Sequence, residues 1–186
     1  MIPAAFEYVR AGSVEEAVAL LGRYGDAARL LAGGHSLLPL MKLRVASPAV
    51  LVDIGRLSDL RYVREAGDHV AVGALTRHHD LETSDLLARE VPLLGHAAAQ
   101  VGDPQVRHRG TIGGSLAHAD PASDLPAVVL ALGGSLVATG PEGTRTIPAA
   151  EFFRSLFESA LAPGEVLTEV RLPKVAGRRW AFEKFN

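Results

Sequence analysis

Two short stretches hold residue types suited to gripping an anion. The first is Gly33-Gly34-His35-Ser36, entered through Leu31-Ala32 and left through Leu37. The second is Gly110-Thr111-Ile112-Gly113-Gly114-Ser115. Paired glycines let the backbone reach positive φ and approach a ligand with no Cβ in the way. Successive N–H groups in such a turn converge on an anion. A helix starting just after it adds the positive end of its dipole. That is the chemistry a pyrophosphate asks for. His35 and Ser36 could add side-chain bonds, with a helix cap as the plain alternative for His35. Neither stretch is followed by the Gly-Lys-Ser/Thr of a Walker A loop, and neither matches G-x-G-x-x-G. Spacing alone therefore leaves the ligand open, and a structural turn with no ligand remains the bland reading of either.

The second stretch runs on into His118-Ala119-Asp120-Pro121-Ala122-Ser123-Asp124. Two glycine turns, each leading to polar groups and a helix, suggest two walls of one nucleotide site. Acids near a diphosphate repel it. Asp120 and Asp124 make sense there as acceptors for ribose or ribityl hydroxyls, or for loop N–H groups. Asp124 could instead cap the helix that follows, and Ser123 could donate to a ligand oxygen. The cluster Arg77-His78-His79-Asp80 invites a metal reading, but adjacent histidines do not share a helix face. A solvated helix start, or a contact to a partner subunit, is the expectation. No acid–base or nucleophile dyad is evident, so no residue is assigned to catalysis and none to a metal.

The elements that must position these groups follow from pattern. Residues 6–10 read as a strand. Ser13-Val-Glu-Glu16 is a capping box opening a helix that Gly22 and Gly25 end or loosen. Strands at 29–32 and 50–54 and a helix after the first glycine turn, with Pro39 tolerated in its first turn, give a small α/β lobe over 1–54. A hairpin spans 60–64 and 69–74. Helices are expected at 76–88, 91–101, 125–132 and 150–156, and strands at 135–139, 144–147, 166–172 and 180–185. Phe152 and Phe153 read as packing. The second lobe, 55–177, is then mainly antiparallel sheet with helices.

Composition narrows the function classes. The chain has 186 residues, 48% of them apolar, enough for a substantial core. With 19 basic and 21 acidic residues the formal net charge is −2, which argues against nucleic acid. There is no cysteine, so a cysteine-ligated cluster must belong to a partner. No stretch reads as a signal peptide or a membrane span, and a cytoplasmic protein is expected.

Ala32-Gly-Gly-His-Ser36 together with Thr111-Ile-Gly-Gly114 resembles the paired flavin motifs of the FAD-binding medium subunit of molybdenum hydroxylases, of the carbon monoxide dehydrogenase-like kind. Asp103-Pro-Gln-Val-Arg107, Asp120-Pro121 and Asp124-Leu-Pro126 fit the same pattern. The resemblance implies an α+β, two-lobed FAD-binding fold of the xanthine dehydrogenase flavin domain or vanillyl-alcohol-oxidase-like type. It implies FAD held by Ala32, Gly33, Gly34, His35, Ser36, Leu37, Thr111, Ile112, Gly113, Gly114, Ser115, Asp120, Ser123 and Asp124. Lys184 is implied to lie near the flavin ring, against the plain reading of a surface lysine. It further implies electron relay from iron–sulfur clusters through FAD to an external acceptor. The partners would be a large molybdopterin-containing subunit and a small [2Fe–2S] subunit, in a dimer of heterotrimers that could associate peripherally with a membrane. Residues 178–186 are expected to begin a further C-terminal domain, leaving a truncated subunit that holds FAD loosely. The rival expectations are a stand-alone flavin oxidoreductase and a non-catalytic nucleotide-binding assembly module.

Overall fold

The computed structural model of the chain describes residues 2–185, so the outermost positions of the expected segments, 1 and 186, lie outside the described residues. Strand β1 (Glu7–Arg10) leads into α1 (Val14–Tyr24). The Ser13 hydroxyl accepts from the Glu16 N–H at 3.1 Å, and the Glu16 carboxylate accepts from the Gly12 N–H at 2.6 Å. This reciprocal cap fixes where the helix starts. Gly22 does not end it: the helix runs to Tyr24 and stops at Gly25, whose φ is 52°. Strand β2 (Ala28–Leu31), helix α2 (Leu37–Lys42) and strand β3 (Val50–Asp53) follow. The three strands form a parallel sheet in the order β1-β3-β2. The central strand buries Val50, Leu51 and Val52 in succession, as a strand covered on both faces must.

The second lobe opens with the hairpin β4 (Val63–Ala66) and β5 (His69–Gly73). Helices α3 (His78–Glu82), α4 (Asp85–Glu90), α5 (Pro92–Ala99), α6 (Pro104–Arg107), α7 (Ile112–His118) and α8 (Asp124–Ala131) come next. Strands β6 (Ser135–Gly140) and β7 (Gly143–Pro148) pair, followed by α9 (Ala149–Phe152), the short hairpin β8 (Phe153–Ser155) and β9 (Glu158–Ser159), and β10 (Val166–Pro173). The sheet is antiparallel in the order β4-β5-β10-β6-β7, so its last strand in sequence is its middle strand in space. Leu94, Ile112, Leu116 and Leu125 from the helices pack with Val70, Leu136 and Val170 of the sheet in one core. Truncating such a leucine to alanine costs about 2–5 kcal/mol. A smaller core joins Ala17, Val18 and Val52 to Leu57, Leu60, Leu75 and Val166. The two lobes of this α+β fold therefore share packing, and that seam fixes their relative position.

Four expectations are corrected. The helix over 76–88 is two helices: Ser84 caps α4 by accepting from the Leu87 N–H at 3.3 Å, while Thr83 Oγ1 donates to the His79 carbonyl at 2.9 Å. These local bonds compete with helix continuity. The helix over 150–156 ends after one turn and its remainder pairs as β8, with Phe152 fully buried and stacked edge-on against Phe153 at 5.1 Å. Residues 180–185 form no strand. Their large alternate residues pack on α5 instead, with Trp180 and Phe182 at 5.1 and 5.9 Å from the His96 ring. The fourth concerns the second glycine pair, which lies inside α7 and not in a turn.

Candidate functional site

A cleft of about 850 Å³ runs between the lobes, within the ~300–1,000 Å³ range of small-molecule sites. Ala32, Gly33, Gly34, His35, Ser36 and Leu37 line one side, and Thr111, Gly113, Gly114, Ser115 and Ser123 another. The stretch Leu161–Leu167, which sequence reasoning did not single out, supplies a largely apolar far wall.

The first loop connects β2 to α2 across Gly34, whose φ is 79°. A Cβ there would sit 2.9 Å from Leu38 Cδ1, and an L-residue rarely adopts that φ. At Gly33 a Cβ would overlap the Arg109 carbonyl and reach 3.0 Å from the Gly110 Cα. The first loop is thus pressed against the lead into the second motif. Among the described residues, none of the backbone N–H groups of Gly33, Gly34, His35, Ser36 and Leu37 donates to a protein acceptor. Ser36 makes no capping bond to α2. Five consecutive N–H groups at a cleft wall are thus left without a protein acceptor, as an anion-binding turn would leave them. The six-residue α2 contributes little length behind them.

The second motif behaves otherwise. Thr111 caps α7, its hydroxyl accepting from the Gly114 N–H at 3.2 Å. The Ile112 N–H donates to Thr76 at 3.0 Å, the Gly113 N–H to Ala74 at 2.8 Å and the Ser115 N–H to Thr111 at 3.0 Å, each at a carbonyl. Those N–H groups are engaged within the protein and are not free donors, contrary to the expectation that both glycine stretches offer N–H groups to an anion. What this wall offers the cleft is hydroxyls: Ser115 and Ser123 hydrogen-bond each other at 2.8 Å. Gly113 is there for close approach, since a Cβ would stand 2.6 Å from Ala74 Cβ.

Four expected residues are not on the cleft wall. Ile112 is fully buried in the large core. Asp120 Oδ1 accepts from the Ala122 N–H at 2.9 Å, stiffening the loop before α8. Asp124 pairs with Lys184, Nζ to Oδ2 at 2.8 Å, and Lys184 also donates to the Gln100 carbonyl at 3.0 Å. These contacts occupy both groups and tie the 180–185 segment to α8. Neither caps: Ser123 holds the cap position of α8, without a side-chain bond.

Within the Arg77–Asp80 cluster only His78 departs from a solvated helix start, and Arg77, His79 and Asp80 stay partly exposed. Asp80 receives a two-pronged bond from Arg61 at 2.8 and 2.9 Å, and Arg107 bonds Glu82 at 2.9 Å. His79 stacks on His108 at 4.2 Å. His78 is buried and lines the cleft. Burial, reinforced by His35, Arg77 and Arg107 and opposed by Asp124, pulls its pKa down to about 4. The missed signal was its neighbour in sequence: a His at the start of a helix that follows the buried run 70–76 sits on the core side. Behind the first loop a second cavity of about 250 Å³ is lined by Arg56, Arg77, Arg109, Asp53 and Tyr8. The Tyr8 hydroxyl donates to Asp53, and Arg77 donates to the Arg109 carbonyl. No helix among the described residues is long and apolar enough to cross a membrane.

The free N–H groups, the hydroxyls and the apolar far wall fit a dinucleotide with a charged middle and flat ends. Comparison with known proteins agrees. Residues 4–175 match the family model described as FAD binding domain in molybdopterin dehydrogenase. The chain is 51% identical, over its whole length, to the carbon monoxide dehydrogenase medium chain of Hydrogenophaga pseudoflava, covering 65% of that protein. It is 43% identical to the glyceraldehyde dehydrogenase medium chain of Sulfolobus acidocaldarius over 99% of this chain and 65% of that one. The crystal structure of the Hydrogenophaga pseudoflava carbon monoxide dehydrogenase that lacks the Mo-pyranopterin moiety superposes with a TM-score of 0.98 at 50% identity. That match covers 100% of this chain and 65% of the other. The chain thus spans just under two thirds of the length of these relatives.

Proposed function

The chain belongs to the family of FAD-binding domains of molybdopterin dehydrogenases, with FAD as its cofactor, and from that premise we propose that it is the flavin-carrying part of an electron-transfer subunit. The observation that carries the assignment is the row of five free N–H groups from Gly33 to Leu37. In this reading they hold the diphosphate, each bond to a charged acceptor contributing about 1.5–3 kcal/mol. Ala32 and His35 shape the same wall, with the Ser36 hydroxyl beside them. Thr111, Gly113, Gly114, Ser115 and Ser123 form the facing wall, with the Ser115 and Ser123 hydroxyls serving sugar or ribityl oxygens. Ile112, Asp120, Asp124 and Lys184 act from behind: Ile112 anchors α7 in the core, Asp120 stiffens its loop, and the Asp124–Lys184 pair closes the edge between α5 and α8. The apolar far wall near Leu161 and Leu167 excludes water from the flat rings.

When bound, FAD supplies the ability to take up electrons singly and release them singly or in pairs. The chain's own residues bind, orient and shield, and none is asked to move a proton on a primary substrate. By likeness to the medium chains, we assign to the whole protein a large molybdopterin-containing subunit and a small [2Fe–2S] subunit as partners. The arrangement is a dimer of heterotrimers in the cytoplasm, relaying electrons from iron–sulfur clusters to an external acceptor. The lobes 1–54 and 55–177 are the two halves of the FAD cleft. Denaturing the flavin-loaded protein and weighing the released chromophore tests the core of this reading. FAD is expected, and release of FMN, NAD or nothing overturns it.

A further inference from the structure

The His78 side chain makes no hydrogen bond among the described residues. His78 opens α3, its backbone N–H donates to the Gly110 carbonyl at 3.1 Å, and the residue is only 4% exposed. Its Nδ1 is enclosed and, among the described residues, without a partner. The ring lies against Gly110, where a Cβ would come within 2.6 Å of Cδ2 and 2.7 Å of Nε2. Gly110 in turn touches Gly33. The Cδ2–Nε2 edge is therefore placed where the first glycine loop meets the second motif, on the cleft wall. An enclosed N–H with no acceptor is rarer and costlier than an enclosed lone pair. The proton of the neutral ring accordingly belongs on Nε2, the nitrogen that is not enclosed. Nε2 makes no hydrogen bond among the described residues and is not fully enclosed, so it is the ring nitrogen that a ligand in the cleft can reach, while the Nδ1 lone pair stays unpaired.

We propose that His78 is a further binding residue of the cleft, donating its neutral Nε2–H to a phosphate oxygen of the dinucleotide at the junction of the two glycine motifs. This rests on the FAD reading of the cleft. The ring is held uncharged near neutral pH by its burial and by His35, Arg77 and Arg107, with Asp124 alone pulling the other way. Recognition is then by geometry and not by net charge. A neutral donor serves where the first loop already provides a row of N–H groups and a second full charge would have to be desolvated.

The test is fluorescence titration of this chain with FAD and with riboflavin, which lacks phosphate, in the wild type, His78→Leu and His78→Gln. Leucine removes both nitrogens at similar volume, and glutamine returns an N–H near the Nε2 position. FAD affinity is expected to fall about tenfold in His78→Leu, the scale of one lost bond to a charged acceptor. It should stay within about threefold of wild type in His78→Gln, with riboflavin affinity unchanged throughout. The ligand-free His78→Leu protein should melt no lower than wild type, because the unpaired nitrogen is gone. Equal FAD affinity in wild type and His78→Leu overturns the proposal while leaving the cleft reading intact. So does an equal loss for riboflavin. A wild type that binds no FAD overturns the cleft reading itself. Should His78→Leu fail to fold, the imidazole ¹⁵N spectrum of the wild type decides. An Nε2–H resonance that moves on adding FAD supports the proposal, and one that stays put removes it.

Discussion

Gly33-Gly34 and Gly113-Gly114 look alike on paper and do opposite work in space. At the first pair the chain turns through positive φ, leaves five N–H groups without protein acceptors and faces the cleft. At the second the chain is helical and its N–H groups are bonded to Thr76, Ala74 and Thr111. There the glycines serve packing, because Gly113 lies against Ala74 and Gly114 against the Thr111 hydroxyl. One pair leaves donors open and the other lets α7 pack closely on Ala74 and on its own cap. A glycine pair is thus a statement about missing Cβ atoms, and the surroundings decide whether a ligand or another backbone takes the space.

The sharpest way to break this comparison is Gly33→Val. Its side chain would overlap the Arg109 carbonyl and the Gly110 Cα, pushing the donor loop off the second motif. We expect FAD affinity to fall by at least ~100-fold, about 2.7 kcal/mol, with most helical circular dichroism retained. Near-wild-type affinity would mean that the loop's seat on Arg109 does not matter. Gly113→Ala should show the reverse pattern. The new methyl meets Ala74, an overpacking cost of about 1–3 kcal/mol partly offset by better helix propensity. A drop of roughly 2–6 °C in thermal midpoint is expected, larger than the effect on affinity. If affinity falls and the midpoint does not, Gly113 belongs with the ligand and not with packing.

His78 sits between the two pairs and gives the comparison a pH dependence. Its pKa is about 4 in the folded chain against about 6.5 when unfolded. Between about pH 6.5 and 4 the unfolded state binds the proton and the folded state does not. Stability from this group is therefore complete above pH 6.5, is lost as pH falls toward 4, and levels off below. The slope is at most about 1.4 kcal/mol per pH unit. Thermal midpoints at pH 4.5 and 7 should differ less in His78→Leu than in wild type, and equal differences would remove the buried-histidine account. The smallest effect should come from Thr111→Val. It removes the α7 cap, costing about 1 kcal/mol, and frees the Gly114 N–H. If affinity rises in that variant, the second motif holds a latent donor.

Much of this was local and therefore legible in the residues. The Ser13–Glu16 cap, the alternation of the hairpins and the continuous apolar run of β3 depend on neighbours a few positions away. The motif resemblance carried the cofactor, because Ala32–Ser36 with Thr111–Gly114 is a specific pair. Where the expectation failed, the deciding partner was distant. The alternation at 180–185 satisfies α5 through His96 instead of a neighbouring strand. Lys184 meets Asp124 sixty positions away. The burial of His78 depends on Gly110 folding over its ring. Above all, sequence could place glycines but not say which N–H groups would remain free. That is an accounting over every acceptor within reach. The acceptors that occupy Ile112 and Gly113, the carbonyls of Thr76 and Ala74, come from the end of the β5 hairpin. Only the closed tertiary structure brings them there.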